Sequence, residues 1–267
     1  MKLGYFLVLS VLLFSLNSCK TRAQKETIVL ITTSYGNIKL KLYNETPIHR
    51  DTFLSLIKRG YFADKVFHRV IKNFMIQGGT SSENKPDLHP ETDITYTLPA
   101  EILPNLYHKR GALAAARKAD MANPKRESTP TQFYIVQGEK FNLQQLKNIE
   151  ENINVQLIQG LAHQYYIEDV KKAKTEGNPI DDQSIINTAI SKAQEANAKH
   201  KFTFSPEQIE TYTTIGGTPH LDGTYTVFGE VIEGLDVVDK IAAVKTLPGD
   251  KPEKEVIFSI KILPENR

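Results

Sequence analysis

Residues 67–79 of the 267-residue chain read FHRVIKNFMIQGG. We expect the first part to form a strand, on which Arg69 shares one face with Phe67 and Ile71 while His68 points the other way. A guanidinium group among apolar side chains has few water partners, so it needs an acceptor to bind. The stretch therefore predicts a cation held at an apolar surface, and we interpret His68 as a structural histidine rather than a catalyst.

Further residues of the same stretch would shape such a surface. Phe74 and Met75 offer an apolar and adaptable wall, and Gln77 adds a neutral amide that both donates and accepts hydrogen bonds. The pair Gly78-Gly79 lets the backbone turn sharply. Two interpretations are open at this point: a binding surface, or a core strand with one arginine whose head reaches solvent.

Strands dominate the sequence on both sides of this stretch. Residues 27–33 are β-branched and apolar, residues 38–43 alternate with period two, and the turn residues between them predict a β-hairpin. Thr46 and Pro47 are typical of a helix start, and this helix is predicted to end at Gly60. Further strands are predicted at residues 66–79, 92–98, 111–117, 131–137, 225–231 and 255–263. Because strands and helices do not alternate, we predict a mainly β fold, a closed antiparallel barrel capped by helices, rather than a parallel sheet.

Residues 141–215 interrupt the β pattern with a helical insertion. A second helix is predicted at residues 181–201 and a third from Ser205, which begins a capping box. Seven lysines and ten acidic residues give the insertion a net charge of −3, typical of a solvated face. We interpret its apolar stripe as packing surface rather than a cofactor site, and the insertion as a candidate surface for a protein partner. An amphipathic stripe predicts the first helix; its members are Leu143, Leu146, Ile149, Ile153, Leu157, Leu161 and Tyr165.

The first 19 residues predict an exported lipoprotein. Residues 1–18 read MKLGYFLVLSVLLFSLNS, a lysine followed by an apolar run that is short for a membrane span and typical of a signal peptide. The chain's single cysteine, Cys19, follows directly, and residues 16–19 resemble a bacterial lipobox, in which that sulfur is acylated. We expect the lipid to anchor the protein to a membrane facing the periplasm, with residues 19–26 as a tether. The alternative is an ordinary signal peptide with an incidental cysteine.

Composition excludes several classes of function. Lys and Arg number 33 against 31 acidic residues, and this net charge of +2 argues against a nucleic-acid partner. One cysteine allows neither an internal disulfide nor a cysteine-rich zinc site. The seven histidines show no metal-ligand spacing, and no nucleotide-binding or nucleophile-elbow motif is present. The sequence therefore predicts neither a metal nor a cofactor.

Residues 67–79 strongly resemble the central motif of the cyclophilins, which are peptidyl-prolyl cis–trans isomerases. Three more stretches resemble motifs of that family in the right order: GALAAAR at 111–117, TQFYI at 131–135 and LDGTYTVFG at 221–229. The resemblance covers residues 26–76, 98–137 and 218–263. It implies a cyclophilin-like barrel (27–140 and 216–267) and an insertion (141–215) that minimal cyclophilins lack. With the signal peptide (1–18) and the tether (19–26) predicted from the N-terminal residues, this completes the division of the chain.

The resemblance also implies an active site. Its catalytic residues would be Arg69, Phe74 and Gln77, with peptide-backbone contacts at Ala116 and Arg117. The full set of implied substrate contacts is Met75, Ala116, Arg117, Gln132, Tyr134, His220, Leu221 and Tyr225.

The sequence departs from the family pattern at several of these positions. Tyr134 stands where the family has a pocket phenylalanine, and Tyr225 where it has a histidine, so we expect an aromatic pocket with a more polar rim. His220 stands where many members carry tryptophan, which implies weak cyclosporin binding. Residues 80–90 replace the family's glycine-rich loop and lack its glycines, and residues 118–130 form a longer, charged loop.

The implied chemistry needs neither a covalent intermediate nor a metal. Rotation of an X–Pro amide faces a barrier of about 18–20 kcal/mol because its C–N bond is partly double. A donor aimed at the nitrogen of the twisted amide stabilises that state alone, which raises the rate. We expect Arg69 to be this donor and proline-containing polypeptides, exported proteins above all, to be the clients whose folding is assisted. The alternative function is a lipid-anchored chaperone or peptide-binding module with little turnover.

Overall fold

Eight antiparallel strands close into a barrel in the computed structural model, which describes residues 26–84 and 94–264. The closed barrel predicted from the sequence is confirmed. Neighbouring strands pair around the barrel in the order β1-β10-β3-β4-β6-β5-β7-β2. The barrel strands are β1 (Thr27–Thr33), β2 (Gly36–Leu42), β3 (Lys65–Ile71), β4 (Met75–Ser81), β5 (Ala112–Ala115), β6 (Phe133–Val136), β7 (Val227–Glu233) and β10 (Val256–Ile262). A separate two-stranded hairpin consists of β8 (Thr246–Leu247) and β9 (Lys251–Pro252).

Strand β2 shows why these residues form a barrel wall. Ile38, Leu40 and Leu42 point inward and are fully buried, whereas the alternate residues Lys39 and Lys41 point outward and pair with acidic side chains of β7. This period-two division of apolar and charged residues fixes the register, because a shift by one residue would bury the lysines.

Two helices pack against the barrel core. Helix α1 (Pro47–Lys58) begins with proline at its first turn and buries Phe53, Leu56 and Ile57. Helix α5 (Leu235–Ala242), which the sequence analysis did not predict, buries Val237 and Ile241 in the same core. Its eight residues are too few for a periodic pattern to stand out from the strand that precedes it.

The strand predicted at residues 92–98 is wrong. Residues 94–97 have no regular structure, and Leu98 forms a single bridge with Ser128; residues 92–93 lie outside the described part of the chain. The physical reason is closure. Each of the eight strands already has two neighbours, so no edge is left for a ninth.

The predicted sharing of a face by Arg69 and Phe67 is also wrong. The β3–β4 pairing shifts register between these two residues, and such a bulge adds a residue that reverses the alternation. Phe67 and Val70 therefore enter the core, while Arg69 and Ile71 lie on the outer side of the barrel, next to a second apolar cluster. The bulge, rather than simple alternation, points the cation at this cluster.

The insertion forms three helices: α2 (Leu143–Glu176), α3 (Asp182–Lys199) and α4 (Pro206–Thr214). Asn142 and Ser205 each complete a capping box, and Gly177 ends α2 in the left-handed conformation. Leu146 and Ile153 of α2 pack with Tyr212 of α4 into a cluster of their own. Of the predicted apolar stripe, Leu143 at the start of α2 is instead 67% exposed. Within the described residues, no helix has both the length and the apolar character of a membrane span.

Candidate active site

A hollow of about 110 Å³ opens on the outer side of the barrel, and we call it the proline hollow. Side chains from β3, the β3–β4 turn, β4, the residues just after β5, β6, the short 3-10 turn (Pro219–Leu221) and the segment that follows this turn meet there. Nine residues that the sequence analysis assigned to the site line it: Arg69, Phe74, Met75, Gln77, Ala116, Arg117, Tyr134, Leu221 and Tyr225.

Apolar and aromatic groups make up one side of the hollow. Met75 and Tyr134 are buried members of an apolar cluster, and Phe74, Leu221 and Tyr225 pack against it while remaining partly open. The rings of Tyr134 and Tyr225 meet edge to face, with centroids 6.0 Å apart. Such a surface favours a compact apolar ring, because burying it removes apolar area from water.

Arg69 supplies the positive charge at the rim. Its side chain is 44% exposed, and its Nε donates to Asp250 Oδ2 at 3.2 Å. Asp250 lies in the turn between β8 and β9, and its carbonyl accepts the N–H of Val70 at 2.8 Å. This turn therefore holds both strand β3, through the N–H of Val70, and the guanidinium group of Arg69. The sequence analysis missed Asp250, and only the turn residues Pro248 and Gly249 hinted at a bend there.

Gln77 and Gln132 form an amide pair beside the hollow. Gln77 Nε2 donates to Gln132 Oε1 at 3.3 Å. Among the described residues Gln77 makes no hydrogen bond to Arg69, so the contacts do not support a role for Gln77 in orienting that arginine. Gln132 does not itself line the hollow, and it reaches the site through this pair.

Ala116 and Arg117, which the resemblance implies as contacts for the substrate backbone, differ in whether their main-chain groups are free to bind. The N–H of Ala116 donates to Gln132 O, and its carbonyl accepts from Thr129 N. The main chain of Arg117, in contrast, makes no hydrogen bond within the described ranges. The Arg117 side chain is held internally: Nε donates to Thr224 O at 2.7 Å, and the guanidinium carbon lies 4.2 Å from the centre of the Tyr225 ring. Its main-chain N–H and carbonyl, rather than its charged group, are therefore available to a ligand.

A chain of buried hydrogen bonds holds Tyr134 from behind. Its hydroxyl lies 2.9 Å from His108 Nε2, and His108 Nδ1 lies 2.8 Å from Asp222 Oδ1. Burial raises the pKa of Tyr134 well above its usual value, so the phenol keeps its proton and its O–H donates a hydrogen bond to His108 Nε2. Our expectation of a polar rim is therefore wrong for Tyr134, because its hydroxyl points into the protein and the ring faces the hollow.

The same chain of hydrogen bonds continues into the insertion. Asp222 Oδ2 accepts from Tyr212 Oη at 2.6 Å and from Gln208 Nε2 at 3.1 Å. The N–H of His108 adds a further bond, to Oδ1, at 2.8 Å. Asp222 is only 2% exposed, and four donors satisfy it, as a buried carboxylate requires. Helix α4 thus supports the proline hollow through Asp222, His108 and Tyr134; we call these residues, with Tyr212 and Gln208, the Asp222 network.

His220 and Cys19 differ from the other predicted site residues. The ring of His220 lies 5.3 Å from that of Phe74, centre to centre, but borders a neighbouring hollow rather than the proline hollow. Cys19 lies outside the described residues, as do residues 85–90 of the 80–90 loop. Within residues 26–84 and 94–264, no group of three His, Cys, Asp or Glu side chains could hold a metal ion.

Comparisons with known proteins converge on one family. The family model described as "Cyclophilin type peptidyl-prolyl cis-trans isomerase/CLD" matches residues 28–195 and 189–262. A protein of Staphylococcus aureus (strain USA300), whose name provisionally assigns it as a peptidyl-prolyl cis-trans isomerase, is 28% identical over 236 residues, covering 88% of this chain and 90% of that protein. A Streptococcus pyogenes protein, provisionally named a bifunctional phosphatase/peptidyl-prolyl cis-trans isomerase, is 29% identical over 233 residues, or 86% of this chain. This chain spans only 37% of that protein's length.

Solved structures agree on the fold. A crystal structure of a cyclophilin-type isomerase from Cryptosporidium parvum superposes with a TM-score of 0.52 and 20% sequence identity, covering 91% of this chain and 100% of the other. The same protein in the presence of the dipeptide Ala-Pro gives a TM-score of 0.51 at 20% identity, with coverage of 89% and 99%.

Proposed function

This chain belongs to the cyclophilin-type peptidyl-prolyl cis-trans isomerases, and from that premise we propose that it catalyses cis–trans isomerisation of X–Pro bonds. The substrates are exported proteins, which bind at the proline hollow while the enzyme is anchored to a membrane through Cys19. One observation carries the site assignment. Arg69 stands at the rim of a hollow whose apolar walls include Phe74 and Tyr134, so a cation lies beside a seat for a proline ring.

The apolar walls hold the proline side of the X–Pro bond, which rotates without being cleaved. A proline ring seated between Phe74, Met75 and Leu221 cannot turn, so rotation is left to the carbonyl side of the amide. The Asp222 network fixes the Tyr134 ring that closes the seat, and a fixed wall transmits the twist to the C–N bond instead of yielding to it.

Arg69 acts on the twisted state. When the amide leaves planarity, the nitrogen regains its lone pair and becomes an acceptor, which the planar amide does not offer. Nε of Arg69 is bound to Asp250, which leaves the terminal N–H groups to donate to that nitrogen. A donor that binds only the twisted amide lowers the barrier rather than the energy of the bound substrate. Arginine stays charged at any working pH, so this step needs no proton transfer.

Polar groups beside the hollow align the peptide. The free N–H and carbonyl of Arg117 suit the main chain of an extended substrate, and the Gln77–Gln132 pair can donate to its carbonyl groups. These contacts form with the planar and the twisted amide alike, so they contribute to binding more than to the rate.

The central test is isomerisation of an X–Pro tetrapeptide followed by NMR exchange spectroscopy. We expect the full chain to accelerate exchange and Arg69→Ala to lose about 10²–10³-fold, the usual cost of removing one donor from a transition state. Arg59→Ala, at an exposed arginine after α1, is the matched control and should keep full activity. Normal turnover by a folded Arg69→Ala variant would remove Arg69 from the mechanism, and peptide binding without turnover by the parent chain would favour the peptide-binding module.

Export and anchoring rest on residues 1–19 alone. The apolar run followed by the chain's single cysteine supports a lipid anchor. In a bacterial host fed a labelled fatty acid, we expect the label on the wild-type chain in the membrane fraction and neither label nor membrane recovery for Cys19→Ser. Wild-type protein that is exported without label would instead support the ordinary signal peptide.

A further inference from the structure

A second hollow, of about 390 Å³, adjoins the proline hollow, and we call it the flanking groove. Arg117, Leu221 and Tyr225 line both. The far walls of the groove are residues 119–121 and the middle of helix α2. Because the two hollows share three residues, a peptide whose proline occupies one can place a neighbouring side chain in the other.

The wall from α2 presents one helix face. Gln156, Gln159, Gly160 and His163 line the groove, and their spacing of three, four and seven residues places them in one row. Gln156 and Gln159 are exposed, and in the described part of the chain neither they nor His163 makes a side-chain hydrogen bond. Their amide and imidazole groups are therefore free to bind a peptide main chain.

This wall is held at a fixed position. The Asn154 side chain binds both main-chain groups of Phe202, donating to its carbonyl and accepting from its N–H, each at 2.9 Å. From the other side, Gln164 Nε2 donates to Pro124 O at 2.6 Å, in the 118–130 loop. Helix α2 is thus tied to both its own insertion and the loop that faces it, so the groove exists before any ligand arrives.

The two charged residues that line the groove, Arg117 and Asp120, pair with each other. Asp120 Oδ1 lies 2.5 Å from Arg117 Nη1, and Asp120 Oδ2 lies 3.3 Å from Arg126 Nη2. What remains open to a ligand is mostly apolar, including Met121, which is 74% exposed, and the Tyr225 ring. Neither Arg117 nor Asp120 is left unpaired for a charged ligand, which would lose hydration on entering the groove, whereas a large apolar group would gain by burial.

We propose that the flanking groove binds the side chain of a residue next to the client proline and selects for large, uncharged side chains. This specificity rests on the proposed function, because it requires the proline to occupy the proline hollow. The insertion then forms one wall of the flanking groove through α2, in addition to stabilising the proline hollow through the Asp222 network.

The test compares tetrapeptides that carry Phe, Ala or Glu directly before or directly after the proline. With the full chain, we expect kcat/KM for Phe on one of the two sides to exceed that for Ala by about tenfold, with Glu no better than Ala. Gln159→Trp fills the groove from α2 and should lower kcat/KM about tenfold for the Phe peptide, but less than twofold for the Ala peptide. Gln144→Trp, the same change at an exposed position outside the groove, should alter neither.

Two results would overturn the groove assignment: equal loss for Phe and Ala peptides in Gln159→Trp, or no preference for Phe in the parent chain. A parent chain that accelerates no peptide refutes the proposed function separately. In that case, peptide binding followed by NMR titration tests the groove assignment independently of turnover. Weaker binding of the Phe peptide, but not the Ala peptide, by Gln159→Trp supports it, and unchanged binding of both overturns it.

Discussion

Replacing Tyr212 with phenylalanine tests whether the insertion stabilises the site through the Asp222 network. The change removes one hydroxyl, which donates to Asp222 Oδ2 at 2.6 Å in a site where Tyr212 is fully buried and Asp222 is 2% exposed. The ring stays, so its edge-to-face contacts with Phe204 and Tyr107 are kept. The measured loss therefore reports on the hydrogen bond rather than on a cavity.

The size of the effect follows from what is left around the carboxylate. A hydrogen bond to a charged group contributes about 1.5–3 kcal/mol. Asp222 keeps two donors from His108 and one from Gln208, so we expect a loss at the lower end, about 1.5–2 kcal/mol. At about 2–4 °C per kcal/mol for a chain of this size, Tm should fall by about 3–8 °C.

Tyr166→Phe is the matched control within the same insertion. Tyr166 also donates to a carboxylate, Asp182 Oδ1 at 3.2 Å, but at the surface. There water replaces the lost partner, so Tyr166→Phe should change stability far less than Tyr212→Phe does. Urea denaturation followed by circular dichroism measures both variants; a shift in midpoint at unchanged slope identifies a pure stability change. Equal effects of the two substitutions would refute the reasoning.

Activity gives a second readout of the same substitution. Because Asp222 orients His108 and His108 holds the Tyr134 hydroxyl, a loosened carboxylate should let the Tyr134 ring move. We expect KM for an X–Pro peptide to rise several-fold in Tyr212→Phe, with a smaller change in kcat, because Arg69 is untouched. An unchanged KM at reduced stability would confine the Asp222 network to a structural role.

Three further perturbations test other contacts. Asp250→Gly keeps the backbone unstrained, because glycine tolerates the positive φ of 63° at this position. Turnover should fall several-fold because Arg69 loses its hydrogen-bond acceptor, while the free energy of unfolding falls by at most about 1 kcal/mol, as for an exposed ion pair. Unchanged turnover would show that Arg69 needs no positioning by Asp250. Burial lowers the pKa of His49 below its usual value despite the nearby Glu101, so the unfolded chain gains a proton first as pH falls below about 6.5 and stability declines, by at most about 1.4 kcal/mol per pH unit from this residue. Denaturation midpoints from pH 7.5 to 5.5 should fall less steeply in His49→Gln, and parallel slopes would contradict this. Deleting residues 141–215 with a short Gly-containing bridge should leave a cooperative melt at reduced Tm, because no member of the main barrel core comes from the insertion; a non-cooperative melt would show the opposite.

Much of the barrel could be predicted from local patterns. In β2, alternation of apolar residues and lysines specifies both the strand and its buried face, and Thr46-Pro47 places the start of α1 within one residue. The capping boxes at Asn142 and Ser205 likewise depend on side chains three residues apart. Such signals survive in the sequence because the interacting groups are near neighbours along the chain.

The candidate site was predictable as a set of residues and not as an arrangement. Arg69, Phe74 and Tyr134 stand in family-like motifs, and the structure brings them to one hollow. The direction of Arg69 depends on a bulge, which is a property of strand pairing and leaves no local signal. Tyr134 was expected to make the rim polar, and a histidine 26 residues away in sequence binds its hydroxyl instead.

The sequence by itself determined most of the barrel strands and the helices of the insertion, because hydrophobic periodicity and capping act over a few residues, but it did not reveal α5 or the absence of a strand at residues 92–98. It also determined that an arginine, several apolar and aromatic side chains and two glutamines were available for one site. Only the tertiary structure decided that Asp250 holds Arg69 and that Tyr212 supports Tyr134 through Asp222 and His108. It likewise decided that α2 borders the flanking groove, since these contacts join side chains far apart in sequence, and barrel closure sets their distances.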